Sequence, residues 1–389
     1  MGSSEKAEGL SDGVKRIVVV GAGRAGTSIA RLLTGDGRYS VAFVEPVEEA
    51  QKQARSEGYE VLEGSGTDLK FMERALDGTT AAVVAAPDSV APPTARSARV
   101  ARCHYLDLSE NSALAEEIAE IAEGAPRAFV PGCGLAPGYV STLVNDMIRQ
   151  CGTDAEIGVY VGVLPTHQIN RLGYGKMWSI EGLVTEYTNP CKAIVSGIRT
   201  KVPPLTGFET LTIGGTAYEA FTTAGSIDGL VDKLEGSVRS LVFKTLRYPG
   251  HLDYMKLLID DLGLGSRRDF LKNLLYNGLP VVETDEVILS ITARFSGGAS
   301  DEKWIHERAH TQRIHSTRLT RERTESAVSR ATAAHACSVI DLLCAGVADH
   351  AGLLHPEEID SGSLAESPFF EPLVPKSGDL SNGESSRFS

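Results

Sequence analysis

The sequence predicts an α/β fold in which a Rossmann-type, doubly wound parallel sheet is joined to an α+β domain. Strand-like and helical segments alternate from residue 15 to about residue 130, which is typical of parallel sheets with right-handed crossovers. A G-x-G-x-x-G pattern follows the first strand, and strand-like segments dominate after Pro131. The 389 residues are enough for two such domains.

The predicted parallel sheet contains six short apolar strands, and the fourth is apolar throughout, as expected for a strand buried on both faces. These strands cover residues 17–20, 41–44, 60–62, 81–85, 104–107 and 128–130. The predicted helices between them cover residues 47–56, 68–76, 90–101 and 112–122. We therefore assign residues 15–134 to a dinucleotide-binding Rossmann domain.

The following segment, residues 135–320, is assigned to an α+β domain that binds substrate. Its predicted strands are 157–163, 192–202, 209–213, 217–223, 238–246, 286–295 and 304–314, and its predicted helices are 140–149, 180–187, 251–261 and 267–276. A last helix is predicted over 323–345 and ends near Gly346. Residues 1–14 and 361–389 have compositions typical of disorder, although Phe369-Phe-Glu-Pro is apolar enough to dock.

Charge and composition exclude several kinds of partner. The net charge of −13 disfavours nucleic acid and anionic membranes, which bind basic surfaces. No apolar run approaches the roughly 20 residues that span a bilayer, and the polar N-terminus lacks the apolar segment of a signal peptide. Six scattered cysteines without a C-x-x-C pair indicate free thiols, so we predict a cytoplasmic protein without a bound metal.

The glycine pattern consists of Gly21, Gly23 and Gly26, between an apolar strand and a helix. Gly21 permits the tight turn, Gly23 lets a pyrophosphate approach the backbone, and Gly26 allows close packing of helix on strand. The helix N-terminus then presents unpaired N–H groups to the phosphates. The pattern predicts a bound dinucleotide, and the alternative is a glycine turn with a structural role only.

Glu45 ends the second predicted strand, about 20 residues after the glycines. A carboxylate at this place accepts hydrogen bonds from the adenosine ribose and repels a 2′-phosphate. No arginine follows directly, so the sequence favours NAD over NADP. The alternative is an ordinary solvated acidic residue at a helix start.

The other predicted cofactor contacts lie at the carboxyl ends of the parallel strands, where ligands bind in such sheets. Thr67 and Asp68 are placed to contact the adenine, although Asp68 equally suits a helix N-cap. The small residues Ala85, Ala86 and Pro87 leave room for the nicotinamide ribose, unless the proline only ends the strand. The remaining predicted contacts are Arg24, Ala25, Leu135 and Pro137.

Two further strand ends carry reactive side chains. Asp107 is the preferred candidate for a general base and Glu110 the second, because both lie at the carboxyl end of the fifth strand. The alternative role for Asp107 is a helix cap. Cys133 is a third candidate, although a buried cysteine also packs as a small hydrophobic residue.

Several segments resemble the saccharopine dehydrogenase family, nearest its lysine 6-dehydrogenase-like branch. The matching segments are the glycine loop, residues 107–109 (DLS), 132–138 (GCGLAPG), 178–187 (WSIEGLVTEY) and 245–250 (TLRYPG). The resemblance implies a Rossmann domain, a larger domain that binds substrate and forms a homodimer, and a helix within residues 321–360 that returns to the first domain. It also implies oxidation at a carbon bearing an amine.

By this resemblance, Thr245 and Arg247 belong to a segment that holds a substrate carboxylate, which the planar fork of an arginine suits. The alternative for Arg247 is a structural ion pair. The loop at residues 221–228 supplies Thr223 and Ser226 as further substrate contacts, but it lacks the arginine that saccharopine reductases place there. Loss of that arginine favours a substrate with one carboxylate, such as lysine.

The predicted reaction is NAD-dependent oxidative deamination of L-lysine. In it, Arg247 anchors the carboxylate and a side-chain carboxylate takes the proton of the reacting ammonium. The alternatives are saccharopine or carboxynorspermidine dehydrogenase, which run a reductive condensation, and a catalytically silent dinucleotide-binding protein.

Residues 306–310 match the H-E-x-x-H motif of zinc hydrolases, which places two histidines one helical turn apart. The flanking residues alternate as in a strand, where residues four apart are too distant to hold one metal ion. We therefore predict a strand and no zinc site.

Overall fold

A parallel sheet with helices on both faces forms the first part of the fold. A computed structural model describes residues 13–296, 305–321, 323–347 and 350–374. The first elements are β1 (Lys15–Val20), α1 (Arg24–Asp36), β2 (Tyr39–Glu45), α2 (Glu48–Ser56), β3 (Glu60–Glu63), α3 (Leu69–Ala75), β4 (Ala81–Val84), α4 (Ala91–Ala101), β5 (His104–Asp107), α5 (Ser112–Ala122) and β6 (Ala128–Val130). All six predicted strands are present.

The second part is built on a mixed sheet. Its elements are α6 (Tyr139–Cys151), β7 (Glu156–Pro165), α7 (Ile180–Thr188), β8 (Cys191–Val195), β9 (Ile198–Val202), β10 (Glu209–Ile213), β11 (Thr216–Thr222), α8 (Asp228–Leu234), β12 (Ser240–Arg247), α9 (His251–Lys256), α10 (Arg268–Gly278), β13 (Asp285–Ser296), β14 (Ile305–His315), β15 (Thr317–Arg318) and β16 (Thr324–Glu325). The chain closes with α11 (Ala327–Ala345), β17 (Gly352–Leu353) and α12 (Ser361–Glu366).

The strand orders confirm the predicted fold class. The parallel sheet has the order β17-β6-β5-β4-β1-β2-β3, which is the doubly wound Rossmann order extended by one strand. The mixed sheet has the order β10-β11-β12-β7-β13-β14, with β8 beside β12 and β9 beside β8. Only the β7–β12 pair of this sheet is parallel among the described residues.

The C-terminal part of the chain completes the first domain. The long helix α11 packs along α1, and the Cys337 thiol donates to the Ile29 carbonyl. Strand β17 then pairs with β6, and the Tyr39 hydroxyl donates to Asp341 over 2.6 Å. The Rossmann sheet is therefore assembled from both ends of the described chain.

Two predicted elements differ from the structure. The segment 192–202, predicted as one strand, is the hairpin of β8 and β9. It turns at Ser196 and Gly197, whose φ angles of 53° and 80° are those of a two-residue hairpin turn. Helix α11 begins at Ala327 instead of residue 323, because the Ser326 hydroxyl accepts from the Ser329 amide and caps it.

The prediction of disorder from residue 361 is wrong for residues 361–374. Helix α12 and a 3-10 helix at Pro368–Leu373 occupy this segment. Phe369 packs edge-on against Tyr39 at a centroid distance of 5.8 Å, and Phe370 packs against Tyr139 at the same distance. Burial of two aromatic rings offsets the entropy of ordering a polar segment. The rest of that predicted tail, 375–389, and residues 1–12 of the predicted leader lie outside the described residues.

No helix within the described ranges combines the length and the apolar character needed to cross a membrane. All six cysteines are free thiols.

Candidate active site

The glycine loop has the geometry of a phosphate cradle. Gly21 has a φ of 103°, and a Cβ there would lie 2.5 Å from the carbonyl oxygen of Ala85, at the end of β4. A Cβ on Gly26 would lie 2.0 Å from the Gly21 carbonyl oxygen, so only glycine lets α1 pack so closely on the turn. At Gly23 no atom lies within 4 Å of the Cβ position, and no side chain caps α1. The open backbone and the uncapped N–H groups fit a pyrophosphate.

Glu45 stands beside this cradle. One carboxylate oxygen accepts from the Ala22 amide and the other from the Val47 amide, each over 2.8 Å. These bonds hold the side chain between the glycine loop and the end of β2. The position fits a role in ribose recognition, and the contact itself stays a prediction.

The remaining predicted cofactor residues lie along the same edge of the sheet. Asp68 caps α3 by accepting from the Phe71 amide over 3.1 Å, as the alternative for this residue proposed, and Thr67 is exposed next to it. Ala85 and Ala86 follow β4 and are half-buried. Arg24 and Ala25 open α1, and Pro87 precedes a 3-10 helix.

Asp107 is placed to hold two loops together. Its carboxylate accepts from the amides of Ser109 and Gly132 and from the Tyr105 hydroxyl, each over 3.0 Å. The side chain is 1% exposed, and burial raises the pKa of its carboxyl against the effect of these bonds. The helix that follows is capped by Asn111 instead. The geometry favours a structural role for Asp107.

Cys133 is also removed from solvent. Its side chain is fully buried, with the sulfur 4.0 Å from Nδ1 of His335. Burial raises the pKa of the thiol well above its usual range, so the reactive thiolate is disfavoured. This environment fits the packing alternative for Cys133.

A cavity of about 590 Å³, including space open to solvent, lies between the Rossmann loops, the mixed sheet and the first turns of α11. It brings together six of the predicted site residues, Glu110, Leu135, Pro137, Ser226, Thr245 and Arg247. Its other lining residues are Leu108, Gly134, Ala136, Val161, Val163, Trp178, Glu186, Phe243, Val328 and Thr332. The lining is largely apolar with a few convergent polar groups, as in small-molecule sites.

Arg247 is the cation of this cavity. It ends β12, is 2% exposed, and forms no ion pair within the described chain. Its guanidinium lies 4.9 Å from the centroid of the Tyr174 ring and 5.7 Å from that of Tyr187. The Nη1 group donates to the Leu246 carbonyl over 2.8 Å. The two rings cover the guanidinium. Because its charge has no anionic partner in the described chain, an anion bound in the cavity would stabilise it.

A hydrogen-bond relay fixes the orientation of that arginine. Nδ1 of the buried His251 lies 2.8 Å from the Leu172 carbonyl and must donate to it. Burial and the Arg247 charge lower the pKa of His251 to about 3, so the ring is neutral and its Nε2 accepts. The Tyr187 hydroxyl therefore donates to Nε2 over 3.0 Å and accepts from Arg247 Nε over 2.7 Å.

Two carboxylates face the same cavity. Glu110 follows β5, and Glu186 lies on α7 with 9% of its surface exposed. Burial and the Glu186 charge raise the pKa of Glu110 well above its usual range. Burial raises the pKa of Glu186 to about 7, opposed by the charge of Arg247. Glu186 was not among the predicted site residues, although it lies in the segment 178–187 that carried the family resemblance.

The loop after β11 lies between Glu186 and Glu110 and contacts both residues. The Ala224 amide donates to the Glu186 carbonyl over 3.0 Å, and a Cβ on Gly225 would lie 3.9 Å from that of Glu110. Ser226 lines the cavity, whereas the buried Thr223 hydroxyl does not and has no hydrogen-bond partner among the described residues.

Residues 306–310 lie in β14, as predicted from their alternation. Four residues along a strand span roughly 13 Å, too far for His306 and His310 to share one metal ion. His306 stacks on Phe295, and His310 lies 3.5 Å from Gln312. Within the described ranges, no group of three or more His, Cys, Asp or Glu residues could hold a metal ion.

Comparison with known proteins identifies both halves of the chain. The family profile of the saccharopine dehydrogenase C-terminal domain matches residues 134–379, and that of the TrkA-N domain matches residues 17–109. The structure of apo saccharopine dehydrogenase (L-Glu forming) from Saccharomyces cerevisiae has a TM-score of 0.75 at 16% identity, covering 92% of this chain and 97% of that chain. At this identity the match shows a shared fold.

Two more distant structures also align over most of their length. A myo-inositol dehydrogenase from Corynebacterium glutamicum has a TM-score of 0.41 at 12% identity, covering 92% of this chain and 94% of that chain. A probable dehydrogenase from Thermotoga maritima has a TM-score of 0.43 at 12% identity, covering 90% and 93%. Similarity at these scores is too low to support conclusions about this chain.

Proposed function

This chain belongs to the saccharopine dehydrogenase family, and from that premise we propose that it oxidises an amino acid at a carbon bearing an amine, using NAD. The most specific form of the proposal is a lysine 6-dehydrogenase-like oxidative deamination of L-lysine. The observation that supports it most directly is Arg247, a buried cation without an ion pair in the described chain, at a cavity next to the Rossmann loops.

Arg247 suits a substrate that has a single carboxylate. Aromatic rings flank its guanidinium, Tyr187 accepts from Nε and the Leu246 carbonyl accepts from Nη1. The N–H groups that remain are enough to bind one carboxylate. The cavity lining has no second cation among the described residues. A substrate with a glutarate arm would bring further carboxylates near Glu110 and Glu186, where like charges repel.

The charges of the lining favour a dibasic amino acid. Two carboxylates and one guanidinium face the cavity, and a substrate with two amines and one carboxylate carries the complementary set. L-lysine has these groups at the ends of an apolar chain, which the lining residues Val161, Val163 and Phe243 accommodate.

The proposed cofactor is NAD, held by Gly21, Gly23, Gly26 and Glu45. The cradle supports a dinucleotide, and the Glu45 carboxylate supports NAD over NADP because it repels a 2′-phosphate. When bound, the nicotinamide supplies a hydride acceptor. Arg247 would orient the substrate against it, and Glu110 would serve as proton acceptor in preference to Asp107.

The test is a panel of substrates and both cofactors with purified protein, followed at the NADH absorbance band. We expect reduction of NAD by L-lysine with release of ammonia, and weaker reduction of NADP. NADPH oxidation that requires an oxo acid together with an amine would point to saccharopine or carboxynorspermidine dehydrogenase instead. Tight NAD binding without turnover of any amine would indicate a catalytically silent protein. A homodimer and a cytoplasmic location stay predictions.

A further inference from the structure

The carboxylates of Glu110 and Glu186 are brought to one cavity by a three-residue bridge. The amide of Ala224 is bonded to the Glu186 backbone, the next residue, Gly225, lies against Glu110, and Ser226 lines the cavity beside both. The two glutamates belong to different domains, so only the assembled fold places their charges together.

Neither carboxylate is stabilised by a hydrogen bond or an ion pair in the described chain. Within the part of the chain that the structure describes, no group hydrogen-bonds to either carboxylate and neither forms an ion pair. Glu186 is more than nine-tenths buried and lines the cavity. A buried carboxylate without a partner is costly, so a proton or a cationic ligand is needed to stabilise it.

We propose that Glu110 and Glu186 act as one proton-sharing pair that holds the reacting ammonium of the substrate and accepts its proton. This inference rests on the proposed function and adds Glu186 as a catalytic residue. Two carboxylates that line one cavity and repel each other cannot both ionise easily, so the pair keeps one proton until a cation displaces it.

The proton transfer balances without a further reactant. One N–H bond of the ammonium breaks, its electron pair stays on nitrogen, and the proton joins a carboxylate oxygen of the pair. The neutral amine can then lose hydride from its carbon to the nicotinamide, and water converts the iminium to aldehyde and ammonium. The pair gives up its resting proton to solvent when the cation binds, and this is the net proton released in the oxidation. The proton taken from the ammonium then restores the resting pair.

The surroundings set the direction of the pH dependence. The groups that face the pair are Asp88 near Glu110, Arg247 near Glu186, and the neutral Tyr174, Tyr187 and Cys191. Burial raises the pKa of both glutamates, and the charges of Glu186 and Asp88 raise that of Glu110 further, whereas the Arg247 charge opposes the rise at Glu186, whose pKa is about 7. The base form is therefore lost as pH falls below neutrality, and kcat/KM falls with it.

The experiment compares Glu186→Gln, Glu110→Gln and the double variant. Each single change removes the neighbouring charge, so the acid limb of kcat/KM should move to lower pH in both. The double variant should lose roughly 10²–10⁴-fold in kcat, the usual contribution of a general base. Glu181→Gln is the matched control, since Glu181 lies on α7 but is exposed, and it should leave the acid limb in place.

A second readout does not depend on turnover. Difference infrared titration of the unliganded protein should show the carbonyl stretch of a protonated carboxylic acid that disappears near pH 7, and this signal should move to lower pH in both single variants. NADH binding and circular dichroism should match wild type, which confirms the fold.

The results separate the two proposals. If amines are oxidised but neither single variant moves the acid limb or the infrared signal, the pair is wrong and the proposed function stands. If the infrared signal moves as expected but no amine is oxidised, the shared proton stands while the proposed function and the pair's role as acceptor both fail.

Discussion

The two candidate sites of this molecule differ in how the chain builds them. The dinucleotide cradle is made by one strand, one turn and one helix, with Glu45 from the next strand. The substrate cavity is made by Glu110 after β5, Glu186 on α7 and Arg247 at the end of β12, three elements far apart in the sequence. The first is a local motif, and the second exists only in the assembled fold.

This difference also appears in what fixes each site. In the cradle the backbone sets the geometry, since a Cβ on Gly21 or Gly26 would collide with carbonyl oxygens. In the cavity, side chains hold one another, as in the relay from His251 through Tyr187 to Arg247. We therefore expect cofactor binding at the cradle to be lost through substitutions that add bulk. We expect substrate binding at the cavity to be lost through substitutions that remove a charge or a hydrogen bond.

The largest expected effect is at Arg247. Arg247→Ala should lower kcat/KM for L-lysine roughly 10²–10³-fold, because it removes a buried charged partner of the substrate carboxylate. Arg247→Lys should recover only part of the loss, since an ammonium lacks the planar fork. Steady-state kinetics measure both, and Arg239→Ala is the matched control, because Arg239 is exposed just before β12. A loss of only a few-fold in Arg247→Ala would contradict the anchoring role.

The next effect compares two glycines of one loop. Gly26→Ala should lower the free energy of unfolding by about 1–3 kcal/mol, because the added Cβ overlaps the Gly21 carbonyl oxygen. Gly23→Ala should leave stability within about 0.5 kcal/mol of wild type, since nothing lies near its Cβ position. Thermal unfolding measures both changes.

The same pair of variants tests the cofactor site. Gly23→Ala should weaken NAD binding at least about tenfold, about 1.4 kcal/mol, because the methyl group occupies the space left for the pyrophosphate. Titration of the folded variant with NADH measures this. Unchanged affinity in Gly23→Ala would mean that the phosphates do not lie on this loop.

The sequence was sufficient where structure follows from local periodicity. The alternation of strands and helices predicted six of the seven strands of the parallel sheet, all but β17, and the alternating flanks of residues 306–310 placed them in a strand. Sequence-based prediction was wrong where contacts between segments distant in the sequence determine the structure. Residues 361–374 have the composition of a disordered tail, yet Phe369 and Phe370 are held by Tyr39 and Tyr139.

The residues of the cavity also differ in how far the sequence predicts them. Their position at a strand end identified both Asp107 and Glu110 as candidate bases. The difference between their environments arises only from tertiary contacts. Asp107 accepts three hydrogen bonds from nearby groups, whereas Glu110 turns to the cavity. Glu186 carries no local signal, because a glutamate in a helix is usually solvated. Only its burial at the cavity distinguishes it from the exposed Glu181.

The smallest expected effect tests whether the relay serves only to position Arg247. Tyr187→Phe removes the oxygen that accepts from Arg247 Nε and leaves the His251 ring without its donor. We expect KM for L-lysine to rise about tenfold, the cost of one hydrogen bond to a charged group, with kcat nearly unchanged. KM should change without kcat because a carboxylate anchor stabilises the bound substrate and the transition state equally. Tyr276→Phe, at an exposed tyrosine of α10, is the control. A fall in kcat without a rise in KM would instead place Tyr187 in the proton transfer.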